Sequence, residues 1–168
     1  DELGWAGVGS NPHYGAPADP WRRGEGGIPG GSSAGGAVSG RDSMALVGIG
    51  GGTGGSCRIP AALTGLVGYK PTARRIATRG TVPLSTTLDS LGSIGRRVAC
   101  CWAADSPMAT GTLPPHNAPT GREGRTLRPR VLSTLVMDGL DSTVTQTSAR
   151  CLPRLAWHGP PPSDVPSP

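Results

Sequence analysis

Phenylalanine is absent from this 168-residue chain, aromatic residues make up only 4% of it, and hydrophobic residues reach 35%, where soluble domains carry roughly 45–50%. A core built from large side chains is therefore excluded, and a self-sufficient core is doubtful. Lysine occurs once, at Lys70, so the net charge of +5 rests on arginine. Arg22-Arg23, Arg74-Arg75 and Arg96-Arg97 are scattered and lack interleaved aromatics. A surface that stacks bases or tracks a groove needs basic and aromatic residues together, so nucleic-acid binding is disfavoured and a solvated basic surface is the simpler account. Cys57, Cys100, Cys101 and Cys151 show no C-x-x-C spacing and have no histidine at ligand spacing, which argues against zinc. No metal or other cofactor is expected. No apolar run approaches the roughly 20 residues of a membrane span, and no secretory leader is seen, so a cytoplasmic, non-membrane protein is the expectation. The first residue is Asp1 rather than methionine, so an internal fragment is expected.

Glycine and proline are what the chain has instead, together exceeding a quarter of it. The glycines crowd between Gly24 and Gly68, and the stretch from Met44 to Gly68 is apolar enough to be buried. Residues 1–31 are punctuated by Pro and Gly and read as loop. Ser33 to Ser43 reads as a helix of small residues that lets a neighbour approach at Gly35 and Gly36. MALVGIG at 44–50 reads as a buried strand, Gly51–Gly55 as a turn, and CRIPAAL after Ser56 as a short helix with Pro60 in its first turn. LVGY at 66–69 reads as a further strand. Within 94–105, Val98, Cys101, Trp102 and Asp105 stand at helical spacing. Residues 1–105 are read as a partial core, 106–126 as a linker, and 127–158 as a strand plus helix of the same domain. That helix is carried by Leu140, Val144, Cys151, Leu152 and Leu155, and Pro153 should bend or break it. Residues 159–168 read as a disordered tail. Short strands alternating with helices point to an α/β layer structure.

The run GGGTGGSCRIP at 50–60 admits several readings. Gly50, Gly52 and Gly55 satisfy G-x-G-x-x-G between a strand and a helix, but a dinucleotide site also wants an acidic residue about 20 positions on. None occurs between Asp42 and Asp89. No lysine follows Gly55, so a Walker A loop fails too. Gly31-Ser32-Ser33-Ala34-Gly35 fits the G-x-S-x-G nucleophile elbow in form, with His116 or His158 and Asp105 or Asp141 downstream. An elbow serine crowns a sharp turn directly after a core strand, which GEGGIPG cannot form.

A longer match takes both serine sites together. GGSSAGG at 30–36 and GGTGGSCRIPAALTGLVGYKPT at 51–72 strongly resemble the amidase signature family, whose pattern is close to GGSSGGS, then GTDTGGSIRIPAA, then GLKPT. Ser32 and Ser56 stand 24 positions apart, the spacing that family uses between its bridging serine and its nucleophile. GTVPLSTTLDSLGSIGRRVACCWAAD resembles the continuation, with Asp89 and Arg97 at matching places, and GSNPHYGAPADPW resembles the segment before GGSS. The match covers most of residues 1–105, and weakly 126–158. It implies a fragment of an α/β fold with a mixed β-sheet core covered by helices on both sides. It also implies a Ser-Ser-Lys triad, with Ser56 as nucleophile, Ser32 as the bridging serine on a cis peptide bond, and Thr53, Gly54, Gly55 and Ser56 as the oxyanion hole. Ser33, Arg58 and Asp89 are supporting residues, Arg58 being expected to pair with Asp89.

Those residue types suit amide cleavage. A serine hydroxyl needs a neighbour to take its proton, and an amide carbonyl needs its developing oxyanion stabilised. Glycines beside the nucleophile let successive backbone N–H groups converge, and one such donor is worth about 3–4 kcal/mol in the transition state. Cys57, next to Ser56, is expected to point into the core and be inert. The family's lysine belongs to a strand several tens of residues before GGSS, outside this chain, while Lys70 matches the structural lysine of GLKPT. The isolated chain is accordingly expected to be inactive. Gly51-Gly52 replaces the family's Thr-Asp, and loss of that aspartate is expected to loosen the loop before Ser56. The expected function is hydrolysis of a small-molecule carboxamide. A glutaminase-type subunit of a tRNA-dependent amidotransferase, which alone would bring a nucleic acid, and a non-catalytic remnant are the alternatives.

Overall fold

In the computed structural model, which describes residues 4–113, 130–132, 138–156 and 163–165, the chain divides into two units, residues 1–118 and 119–168. In the first, the described part of the Pro- and Gly-punctuated segment up to Ser33 forms an isolated antiparallel bridge between Asn11 and Gly15 and a 3-10 turn at Arg23–Glu25. Helix α1 spans Ala34–Arg41, strand β1 Val47–Gly51, helix α2 Arg58–Thr64, strand β2 Val67–Tyr69, strand β3 Leu91–Gly95 and helix α3 Val98–Thr110. The three strands form a sheet in the order β1-β3-β2, and β3 is antiparallel to both neighbours. β1 and β2 thus run parallel to each other, and α2 makes the crossover between them, a split β-α-β unit.

Strand alternation places helices on both faces of this sheet. Ile94 is fully buried with Ala37 of α1, Cys57, and Ala61 of α2. On the opposite face, Ser93 Oγ donates to the Cys101 carbonyl of α3 at 3.3 Å. The core is small because its helix-to-strand contacts are made by backbone. A Cβ placed on Gly48 of β1 would lie 2.6 Å from the Gly36 carbonyl oxygen of α1, far inside contact distance.

That contact overturns the expectation that Met44–Gly68 is buried throughout. Gly48 and Gly50 face the helix side, so Ile49 between them turns outward at 60% exposed, and Met44 and Leu46, in the segment before β1, are exposed as well. β3 also departs from the reading of 94–105 as helix. The helix starts at Val98, which is itself exposed, buries Cys101 and Asp105, and runs on through Ser106–Thr110. Gly111 in the left-handed conformation ends it, as glycine does without a Cβ penalty.

Asp105 is 2% exposed, and its Oδ2 takes both Nε and Nη2 of Arg75 at 2.9 and 2.7 Å. This fork ties the loop after β2 to α3. Replacing Arg75 with methionine leaves a buried carboxylate without its partner and is expected to cost about 3 kcal/mol, measured as a fall in the urea midpoint at unchanged slope.

In the second unit, β4 (Arg130–Leu132) pairs in parallel with β5 (Ser163–Val165), and α4 spans Ser142–Ala156. Asp141 Oδ1 accepts the N–H groups of Thr143 and Val144 at 2.7 and 3.0 Å, a side-chain cap on the first turn. Two expectations are corrected. Pro153 does not break α4, which runs on past it to Ala156, although its missing N–H removes one i→i−4 bond. Residues 163–165 of the expected disordered tail form a strand, and Val165 precedes Pro166, which disfavours helical backbone at the residue before it. Of the expected helix face, Leu140 is half-buried and Val144 and Cys151 are exposed, while the side chains of Leu152 and Leu155 lie outside the described residues.

Candidate active site

Ser32 and Ser56 arrive from different segments. Ser32 closes the loop that leads into α1, and Ser56 lies between β1 and α2. Packing of α1 on α2 brings the two segments together, and the Ser33 N–H donates to the Ser56 carbonyl at 3.3 Å. The Gly31–Ser32 peptide is cis. A cleft of about 490 Å³ is lined by Ser32, Ser33, Thr53 and Ser56, and by Thr78, Thr81, Val82 and Leu84 from the loop between β2 and β3. Gly54 and Gly55 form the turn that joins Thr53 to Ser56. The Ser33 side chain lies over β1, where a Cβ on Gly50 would come within 2.2 Å of its Oγ.

The pattern of hydrogen bonds separates this site from an ordinary turn. Among the described residues, the N–H groups of Thr53, Gly54, Gly55 and Ser56 donate to no protein acceptor, and neither Ser32 Oγ nor Ser56 Oγ makes a hydrogen bond. The first bonds of α2 go instead from Arg58 and Ile59 N–H to the Gly55 carbonyl, at 2.7 and 2.8 Å. No side chain caps that helix, so Ser56 is not spent on capping, the ordinary structural use of such a serine. Of these residues Ser32, Thr53 and Ser56 line the cleft, while Gly54 is exposed on the turn between Thr53 and Ser56.

The supporting residues are arranged differently from the expectation. Arg58 does not pair with Asp89; its Nη2 donates to the Gly54 carbonyl. The Asp89 carboxylate is already filled, with Thr53 Oγ1 donating to Oδ1 at 2.5 Å and the Leu84 and Ser85 N–H groups donating to Oδ2 at 2.8 and 2.9 Å. The Thr53 hydroxyl, together with the Ser85 and Leu84 amides, holds Asp89 below the usual carboxylate range. Lys70 Nζ donates to the Pro71 carbonyl at 2.8 Å. Its aliphatic stem fills the space beside Gly52, where an added Cβ would lie 2.7 Å from Lys70 Cγ.

Cys57 is fully buried, and its thiol faces the Gly50 and Gly51 carbonyls at 3.3 and 2.9 Å. Burial pushes its pKa up to about 11, outweighing the opposite pull of Arg58 and Lys70. The thiol beside Ser56 thus stays protonated at neutral pH, as a structural cysteine does.

Ser90 was not singled out by the sequence reading. It is buried, its Oγ donates to the Gly52 carbonyl at 3.0 Å, and its own carbonyl accepts the Gly52 N–H at 2.7 Å. The loop before Ser56 is therefore tied down although it lacks the family's aspartate. Thr81, Val82 and Leu84 carry no signal beyond their place inside the matching stretch from Gly80 to Asp105, and Thr78 lies just before it. For the elbow reading, Asp105 is engaged by Arg75, and His116 and His158 lie outside the described residues.

Residues 1–135 match the Amidase family. Over 161 residues the chain is 38% identical to a 2-amino-5-chloromuconic acid deaminase of Comamonas testosteroni, covering 94% of this chain and 34% of that protein. It is 40% identical over 112 residues to an indoleacetamide hydrolase of Pseudomonas syringae pv. syringae, covering 67% of this chain and 24% of that one. The solved structure of a glutamyl-tRNA(Gln) amidotransferase subunit from Thermotoga maritima superposes with a TM-score of 0.80 at 25% identity, over 98% of this chain and 38% of that one. The chain thus spans about a quarter to a third of the curated relatives it matches. Among the described residues no helix is long and apolar enough to cross a membrane.

Proposed function

The chain belongs to the amidase family, and from that premise we propose that it carries the nucleophile-bearing part of an enzyme that hydrolyses a carboxamide C–N bond through a serine acyl-enzyme. Ser56 Oγ attacks the amide carbon, and its proton passes through the Ser32 hydroxyl to a lysine supplied from outside this chain. The carbonyl oxygen gains negative charge and is met by the backbone N–H groups of Thr53, Gly54, Gly55 and Ser56. The tetrahedral adduct collapses with cleavage of the C–N bond. The departing nitrogen takes a proton back through the same relay, and water then attacks the acyl-enzyme to release a carboxylic acid. Ser33 supports the Ser56 segment through its backbone N–H, and Arg58 holds the Gly54 carbonyl side of the turn.

The observation that carries this reading is the set of uncommitted donors and hydroxyls around the cleft. Around them, Asp89 and Ser90 hold Thr53 and Gly52 by side-chain hydrogen bonds, and Arg58 holds the Gly54 carbonyl. The test is covalent. In the full-length protein, with the lysine-bearing strand present, a fluorophosphonate probe is expected to label Ser56, and peptide mapping locates the adduct. Labelling that persists in Ser56→Ala refutes the assignment. The likeness to the amidotransferase component favours a second reading, a glutaminase-type centre that works within a tRNA-dependent assembly. Glutamine turnover that requires partner proteins and tRNA, with no turnover of simple carboxamides, selects it over a free amidase. A wild-type protein that resists labelling selects the non-catalytic alternative.

A further inference from the structure

We infer that Asp89 is a positioning residue that couples the backbone bed around Ser56 to the loop lining the cleft, so that the two hold their geometry as one unit. This rests on the reading of Ser56 as nucleophile. Asp89 reaches in two directions with its two oxygens. Oδ1 accepts the hydroxyl of Thr53, three residues before the nucleophile, at 2.5 Å. Oδ2 accepts the N–H groups of Leu84 and Ser85 at 2.8 and 2.9 Å, and Leu84 lines the cleft with Thr81 and Val82. The next residue repeats the connection: Ser90 exchanges two hydrogen bonds with Gly52, at 2.7 and 3.0 Å. Two consecutive residues at the entrance to β3 thus grip two consecutive residues at the exit of β1.

The chemistry of the grip explains why a carboxylate stands there. Three donors converge on it, and an ionised carboxylate accepts at both oxygens without offering a competing proton. The same donors keep Asp89 ionised across the neutral range. Gly52 and Gly54 have no side chains to anchor the turn, so the restraint comes from across the cleft. A displacement of the loop at Leu84 is then transmitted to Thr53, whose N–H belongs to the proposed oxyanion hole. Misplacement on the ångström scale at such donors is enough to slow chemistry.

Two readouts test the coupling, and they fail independently. In this chain, Thr53→Val removes the hydroxyl and keeps the shape, and it is expected to speed amide hydrogen exchange at Leu84 and Ser85 by about tenfold or more through local opening. Thr53→Ser keeps the hydroxyl and restores the protection, while amides in the middle of α3 stay unchanged in both variants. Unchanged exchange at Leu84 and Ser85 in Thr53→Val overturns the inference, whether or not any serine reacts. In the full-length protein, Asp89→Ala and Thr53→Val are each expected to slow fluorophosphonate labelling of Ser56 by about tenfold to a hundredfold, and the double variant no further, because the two act through one contact. Additive losses overturn the coupling. A wild-type protein that does not label refutes the serine-hydrolase reading and leaves the exchange test to decide the role of Asp89.

Discussion

Replacing Ser32 with alanine is expected to slow reaction at Ser56 by about three orders of magnitude or more, because members of a nucleophile relay act as a unit, while leaving the folded state as stable as before. The two halves of that expectation come from one observation. Ser32 lines the cleft, and among the described residues its Oγ has no hydrogen-bond partner. Removing it therefore breaks no bond in the resting fold, and the change in stability should stay within about 0.5 kcal/mol. In the proposed relay, its loss leaves the proton on Ser56 without a bridge to the lysine. The measurement pairs the second-order rate of fluorophosphonate labelling with the thermal midpoint, both on the full-length protein. A variant that labels at the wild-type rate removes Ser32 from the relay. One that loses rate and stability together makes it a structural residue.

The second large effect is steric. Gly31→Ala is expected to destabilise the first unit by about 3 kcal/mol, the upper range for forcing extra volume into a packed site. A Cβ there would meet the Ala6 carbonyl oxygen at 2.3 Å, the Gly9 nitrogen at 2.4 Å and Gly9 Cα at 2.7 Å. All three are backbone, which cannot swing aside as a side chain can. The Gly31 N–H also donates to the Gly7 carbonyl at 2.7 Å, so moving the segment away breaks a bond. Gly35→Ala supplies the contrast within α1. Nothing lies within 4 Å of a Cβ at that position, and alanine in place of a helical glycine should stabilise by about 0.5–1 kcal/mol. Urea unfolding of the two variants side by side reads both signs. Equal and small effects would mean that the segment before Ser32 is not held against residues 6–9.

What the sequence made legible was local, and what it concealed was long-range. The two serine sites could be read because each lies in a short run of small residues whose order and separation carry information by themselves. α1 and α2 were legible for the same reason, since Ser33–Ser43 is a run of small residues and CRIPAAL carries Pro60 in its first turn. β3 was not. Leu91–Gly95 reads LGSIG, with a single β-branched residue, and nothing local marks it as a strand. It becomes one because β1 and β2 flank it on both edges and satisfy its backbone groups, a tertiary override of weak propensity. The outward turn of Ile49 was hidden likewise, because hydropathy cannot show that glycines have taken the inner positions. Arg58 was matched to Asp89 on charge alone, whereas the carboxylate was already filled by donors from Thr53, Leu84 and Ser85. Thr53 is 36 residues away from it in sequence.

The Arg75–Asp105 fork has a further consequence when set beside the Asp89 grip. The first pins the chain shortly after β2, and the second pins it just before β3. Between them, Ile76 is buried, and residues 77–84 are exposed throughout. The segment between the pins is a bridge whose abutments are fixed independently of its span. Lengthening a flexible loop adds only about 0.6 kcal/mol for each doubling, so changes in length or side chain between Ala77 and Pro83 leave the register of β2 and β3 intact. Residues 77–83 can thus change without moving β2 or β3, whereas Leu84 cannot, because its N–H is one of the bonds that hold Asp89 to the span.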